Sequence, residues 1–230
     1  MIFNHIKKTF VFFFFFIRIL FLNKRKKFNY IYKNNLWGKK KNTKFFSGTG
    51  SYQKNIINPY ITKVIALLKL HKFPTVVDCG CGDFNIGKKI YLFTKSYIGL
   101  DIVEDLINFN KKKFIHSKLK FITKDITIDK LPKADFFIVR QVLQHLSNNE
   151  IKLFLKNIKY KCKFLIVTEH YTSKKNLPNK DIITNFNIRK DSEILLHKQP
   201  FNIKFKSMQK LLEVSARPDK GFITTFVYEI

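Results

Sequence analysis

Between residues 75 and 169 the sequence alternates short, branched apolar runs with segments whose apolar residues recur at helical spacing. No other feature limits the fold as much. The runs are T-V-V-D-C at 75–79, Y-I-G-L-D-I at 97–102, L-K-F-I-T-K-D-I at 119–126, A-D-F-F-I-V-R at 134–140 and F-L-I-V-T-E at 164–169. Helical patterns begin at 85–91 and cover 104–113 and 148–159. Strands apolar on both faces, separated by helices, predict an α/β three-layer sandwich around a mostly parallel sheet. After the turn signal R-P-D-K-G at 217–221, the run F-I-T-T-F-V-Y-E-I predicts a last strand in an antiparallel hairpin at one sheet edge.

The chain ahead of residue 75 divides in two. Residues 28–74 form a cap: a linker-like stretch with Trp37-Gly38 and S-G-T-G-S at 47–51, then a helix over 55–70 carrying Ile57, Ile61, Val64, Ile65 and Leu68 on one face. Residues 1–27 form an apolar and basic leader, with F-V-F-F-F-F-F-I-R-I-L-F-L from Phe10 to Leu22 followed by K-R-K-K at 24–27. Thirteen helical residues reach about 20 Å, short of the roughly 30 Å hydrocarbon core, and Arg18 interrupts the run. No small-residue cleavage site follows, so a secretory signal is not the reading either. A helix lying at an anionic membrane surface fits better, with a docked helix or an unordered leader as the equal alternative. Residues 75–230 are the main domain.

Net charge is +28, from 44 Lys and Arg against 16 Asp and Glu. Only five of the basic residues are Arg, the side chain suited to forked contacts with phosphate, and a chain rich in Lys, Asn, Ile and Phe reflects A/T-rich coding. Nucleic acid is therefore a partner the charge allows but does not favour. Three cysteines make no disulfide framework, and a reducing, cytoplasmic setting is the expectation, with membrane association through residues 1–27 as an addition.

The loop after the first strand reads V-V-D-C-G-C-G-D-F-N-I-G at 76–87. Ligands of open α/β sheets sit beyond the carboxyl ends of strands, and glycines let the backbone approach them. A dinucleotide fingerprint needs a third glycine at position 85, where this chain has Asn85. Asp78 at the first strand end suits a ligand with an ammonium group rather than a pyrophosphate. Asp101 ends the second strand, placed to accept from both hydroxyls of a ribose. Asp125 ends the third, placed to accept from an adenine amine. Amino acid, ribose and adenine together describe S-adenosylmethionine. Cys79 and Cys81 lack the further Cys or His that a metal site needs and read as small buried spacers, so no metal is expected.

These motifs, with L-P-K-A-D-F-F-I-V-R-Q-V-L-Q-H-L-S at 131–147, resemble the class I S-adenosylmethionine-dependent methyltransferases. More narrowly, N-x-W-G and S-G-x-G-S ahead of the glycine loop, and the run from Asp181 through Arg189 to Pro200-Phe201, resemble a bacterial group of them. The resemblance implies a Rossmann-like fold with Gly80 and Gly82 against the methionine part and Asp101 on the ribose. It places Asp125 and Ile126 around the adenine, Ile102 among the cofactor-binding residues, and Arg140 and Gln141 over the cofactor. The narrower pattern commonly has an acidic residue where Gln141 stands. Ser47, Gly48, Gly50 and Ser51 would fold over the site and meet the cofactor carboxylate.

Methyl transfer needs a positioned acceptor and, for an O–H or protonated N, somewhere for a proton to go. Glu169 and His170 at the fifth strand end are candidate bases, with His145 a third that can equally fix the turn before the helix at 148. Arg189 is a candidate for the acceptor pocket. The expected acceptor is a small or glycan-like molecule, free or lipid-linked. The alternatives are RNA, or a catalytically inactive fold serving as a cofactor-binding or membrane scaffold.

Overall fold

The computed structural model describes residues 22–171, 178–182, 189, 192–216 and 221–230. The apolar run up to Phe21, most of the stretch between Asp181 and Arg189, and the R-P-D-K part of the last turn lie outside the described residues. Seven strands form one sheet in the order β3-β2-β1-β4-β5-β7-β6, where β1 is Thr75–Cys79, β2 Ser96–Asp101, β3 Leu119–Thr123, β4 Phe136–Arg140, β5 Phe164–Tyr171, β6 Ser207–Ser215 and β7 Phe222–Glu229. The first five are mutually parallel, and β7 runs antiparallel to both β5 and β6. The sequence order reverses between β1 and β4, which places a binding crevice at their carboxyl ends.

Helices cover both faces, making the three-layer α/β sandwich. On one side α2 (Lys54–Leu70) buries Ile57, Ile61, Val64 and Leu68 against Val76, Ile138 and Ile166. The short α3 (Gly87–Ile90) and α4 (Glu104–Lys113) add Ile90 and Ile107 to the same core. On the other side α5 (Asn148–Ile158) packs Ile151, Phe154 and Ile158 on Val77, Val139 and Val167. Ser147 and Glu150 close a reciprocal capping box at the start of α5, with Glu150 N donating to Ser147 Oγ at 3.2 Å and Ser147 N donating to Glu150 Oε2 at 2.8 Å.

Three elements differ from expectation, each for a local reason. The helix expected over 85–91 is one α turn followed by a 3-10 turn at Tyr91–Phe93, because Phe84 enters it in the left-handed region at φ 61°. β3 stops at Thr123 rather than 126, since Asp125 turns the chain by accepting Thr127 N on Oδ1 at 2.9 Å. β5 extends to Tyr171 because β7 pairs with it as far as Phe222. The expected hairpin is there, with β6 as its outer strand and β7 inside.

The largest difference lies ahead of the sheet. A ten-residue helix, α1 (Lys24–Lys33), crosses the boundary set between residues 27 and 28, so the basic run 24–27 is its first turn. Asn23 caps it, its side chain accepting Lys26 N at 2.9 Å. Phe28, Ile31 and Tyr32 bury one face of α1 against Val103 and Leu106 of the main domain. Among the described residues no helix is long and apolar enough to cross a membrane.

Candidate active site

A cavity of about 320 Å³ opens at the carboxyl ends of β1, β2 and β4. The glycine loop forms its floor. Gly80 N and Cys81 N both donate to Leu100 O at 2.8 Å, folding the loop back over the end of β2. Gly80 and Gly82 have φ of 85° and 54°, values that a side chain strains. A Cβ on Gly80 would stand 2.4 Å from Val142 Cγ2, and one on Gly82 2.4 Å from Ser47 Oγ. From α4, Asn110 Nδ2 donates to Gly82 O at 2.8 Å and pins the loop from behind. Cys79 and Cys81 fall into separate cores on the two faces of the sheet, as spacers do.

Three strand-end carboxylates line the cavity. Asp78 is buried, which pushes its carboxyl up to about 7 against the opposing pull of Tyr97 Oη, which donates to Asp78 Oδ2 at 2.8 Å. Asp101 is raised to about 6 by burial, although its oxygens accept Val103 N at 3.0 Å and Gly82 N at 3.1 Å. Asp125 is held by Thr127 and paired with Lys24 Nζ at 3.0 Å. Ile102 and Ile126 stand beside the last two.

The S-G-T-G-S segment straps across the glycine loop. Ser47 N donates to Asp83 Oδ2 at 3.1 Å, while Asp83 N donates to Ser47 Oγ at 2.8 Å. Tyr52 Oη donates to the same carboxylate at 2.7 Å, and Asn85 Nδ2 to Ser51 O at 2.6 Å. At the end of β4, Arg140 donates to Gly50 O at 2.8 Å and to Gln141 Oε1 at 3.0 Å. Its buried Nε has no partner among the described residues, and a carboxylate-bearing ligand would supply one. Gln141 sits at φ 54°, a strained position of the kind that functional loops keep.

All thirteen residues expected to bind the cofactor line this one cavity: the strap's Ser47, Gly48, Gly50 and Ser51, the loop and strand ends, and Arg140 with Gln141. His145 lines it too, with its ring 5.0 Å from Trp37 and 6.2 Å from Phe28, and burial pushes its imidazole down to about 4.

The other candidates stand elsewhere. Glu169 is fully buried on the Val167 side of β5, outside the cavity lining. Its Oε1 accepts Val142 N at 3.1 Å and Leu143 N at 2.8 Å, so it anchors the loop after β4. Burial raises its carboxyl to about 8, with those amides pulling down. His170, half-buried opposite Ile223, also falls outside the lining. Arg189 is buried, donates to Leu146 O and Lys180 O, and falls outside the cavity lining. Both departures at β5 follow from strand parity. Alternate side chains point to opposite faces, and neither Glu169 nor His170 reaches the cavity lining.

Sequence reasoning missed Lys24, Phe28, Tyr32 and Trp37, which wall one side, together with Tyr60 and Asp83. The sole tryptophan, in N-x-W-G, and the acid directly after the glycine pair were the available signals.

The family described as an O-methyltransferase domain matches residues 19–189. Among solved structures, magnesium protoporphyrin IX methyltransferase from Synechocystis, with S-adenosylmethionine bound, is 15% identical with a TM-score of 0.57, over 91% of this chain and 98% of that one. A S-adenosylmethionine-dependent methyltransferase from Leishmania major is 12% identical with a TM-score of 0.60, over 80% and 76%. Human N-acetylserotonin methyltransferase is 17% identical with a TM-score of 0.54, over 74% of this chain and 51% of that one, so the chain spans about half its length. At such identities the likeness is one of fold. No curated protein sequence matches the chain.

Proposed function

The chain belongs to the O-methyltransferase domain family, and from that premise we propose that it transfers a methyl group from S-adenosylmethionine to an oxygen of a small, glycan-like acceptor. The observation that carries this reading is the set of three strand-end carboxylates, Asp78, Asp101 and Asp125, around one glycine-floored cavity. The cofactor supplies a methyl carbon activated by a sulfonium leaving group. Asp78 would hold its ammonium, Arg140 and the strap its carboxylate, Asp101 the ribose and Asp125 the adenine amine.

A cavity of about 320 Å³ is at the lower end of ligand sites, roughly 300 Å³ upward, and the cofactor takes most of it. The acceptor then presents one hydroxyl at the mouth, between the strap and the loop after β4. Trp37, Gln141 and Gln144 are among the lining residues, an indole and two amides, a combination that suits a sugar. His145, neutral at pH 7, would accept a hydrogen bond from the hydroxyl and orient it. It would take the proton as the methyl–oxygen bond forms and the methyl–sulfur bond breaks, when the oxygen becomes far more acidic than the free alcohol. Glu169 supports that loop from below. Residues 1–21 precede α1 in the sequence, and a leader resting on a membrane would favour a lipid-linked acceptor.

Incubation with methyl-labelled cofactor and fractionated cell extract tests the reading. Label in a glycan or lipid-extractable fraction is the expected result. Label in RNA would replace the acceptor, and absence of cofactor binding by calorimetry would remove the enzyme reading.

A further inference from the structure

We propose that Lys24 is a positioning residue of the cofactor site, bridging Asp125 and Glu150 so that α1 is latched across the adenine end of the cavity. This rests on the reading that puts adenine beside Asp125. Lys24 Nζ stands 3.0 Å from Asp125 Oδ2, 3.1 Å from Oδ1 and 3.1 Å from Glu150 Oε1. Its side chain is only 14% exposed, and those of the two acids 8% and 19%. At that burial an ion pair escapes most of the screening that makes surface pairs weak.

The rest of α1 explains why a latch is needed. A ten-residue helix is marginal by itself. Its first turn carries Lys24, Arg25, Lys26 and Lys27 and no acid, the wrong sign for the positive end of a helix dipole. Two carboxylates from other elements offset this at Lys24. Lys24, Phe28 and Tyr32, spaced four apart, present one face, and all three line the cavity.

The pairing also sets Asp125. Its Oδ1 already accepts Thr127 N at 2.9 Å and Thr127 Oγ1 at 2.7 Å. Lys24 Nζ reaches both carboxylate oxygens and Thr127 Oγ1 as well, and Oδ2 keeps a lone pair for an exocyclic amine. Lys24 thus fixes the carboxylate rotamer as well as the helix. Glu150 divides its oxygens, Oε1 to Lys24 and Oε2 to the α5 cap, so the start of α5 joins the same network.

The test measures binding of S-adenosylhomocysteine and of 5′-methylthioadenosine, which lacks the amino-acid part, by calorimetry, with hydrogen exchange over residues 24–33. Lys24→Met is expected to weaken both ligands about 10-fold and to speed exchange across α1. Lys24→Arg should restore most of the affinity. Glu150→Gln, which keeps an acceptor for the cap, should fall between, and Ser147→Ala, which weakens the cap alone, should bind as the unmodified protein. Equal binding by Lys24→Met and the unmodified protein overturns the proposal, whatever happens to thermal stability. Failure of the unmodified protein to bind either ligand overturns instead the cofactor reading beneath it.

Discussion

Ser47 and Asp83 hold each other by two hydrogen bonds, each donating its backbone N–H to the other's side chain, at 3.1 Å and 2.8 Å. The pair joins a strap from ahead of the sheet to the loop after β1. Asp83→Ala removes the acceptor used by Ser47 N and Tyr52 Oη. The expected effect is about 10-fold weaker cofactor binding, with a loss of roughly 1–3 kcal/mol in stability from orphaned donors. Calorimetry and denaturant unfolding check the two effects separately.

Asp78 makes binding depend on pH. Its carboxyl is raised to about 7 by burial, and only the ionised form attracts an ammonium group. Cofactor affinity should therefore rise as pH increases through about 7, then level off. Stability runs the other way. Between the unfolded value near 4 and the folded value near 7, the native state holds the proton more tightly, so stability falls as pH rises across that window. Asp78→Asn should flatten that slope and raise neutral-pH stability by on the order of 1–3 kcal/mol while abolishing cofactor binding. Thermal melts between pH 4 and 8 read the slope.

Glu169 separates support from catalysis. Glu169→Gln keeps an oxygen for Val142 N and Leu143 N and removes a costly buried charge. Activity should be largely kept, and stability above pH 8 equal or higher. Glu169→Ala leaves both amides unpaired and should cost roughly 2–4 kcal/mol. Loss of turnover in the glutamine variant, with folding intact, would return Glu169 to the role of a base.

Gly80 has a backbone and a steric reason to be glycine, and the two can be told apart. Gly80→Ala puts a methyl 2.4 Å from Val142 Cγ2 at a φ of 85°, and cofactor binding should be lost. Adding Val142→Ala removes the clash but not the left-handed strain, which costs roughly 1–2 kcal/mol. The double variant should recover binding in part, as calorimetry would show.

The parallel strands and their terminal acids were legible because each signal is local: an apolar run, then Asp at its end. Asp78, Asp101 and Asp125 need only strand boundaries to be placed, and all three line the cavity. Lys24 was not legible, because its meaning comes from Asp125, 101 positions away. Read locally, K-R-K-K looks like the flank of an apolar leader. Glu169 and His170 misled for a different reason. β5 runs on to Tyr171, so both lie inside the strand rather than at its end. Where their side chains go depends on pairing with β7 and on where the loop after β4 folds. Arg189 looked like a ligand because Arg is scarce, and its burial against Leu146 O could not be inferred from scarcity.

The sheet order gives the chain a schedule. β6 precedes β7 in synthesis yet touches the sheet only through it. When β6 leaves the ribosome its partner in the finished sheet, β7, is not yet made, and the edge of β5 that β7 will take is open. Its nine residues reach their place in the sheet only as the outer arm of a hairpin with β7. Until that moment the edge of β5 is exposed to any other extended chain nearby. Slow translation across residues 207–229 would prolong that exposure, and a chaperone that covers β5 would shorten it.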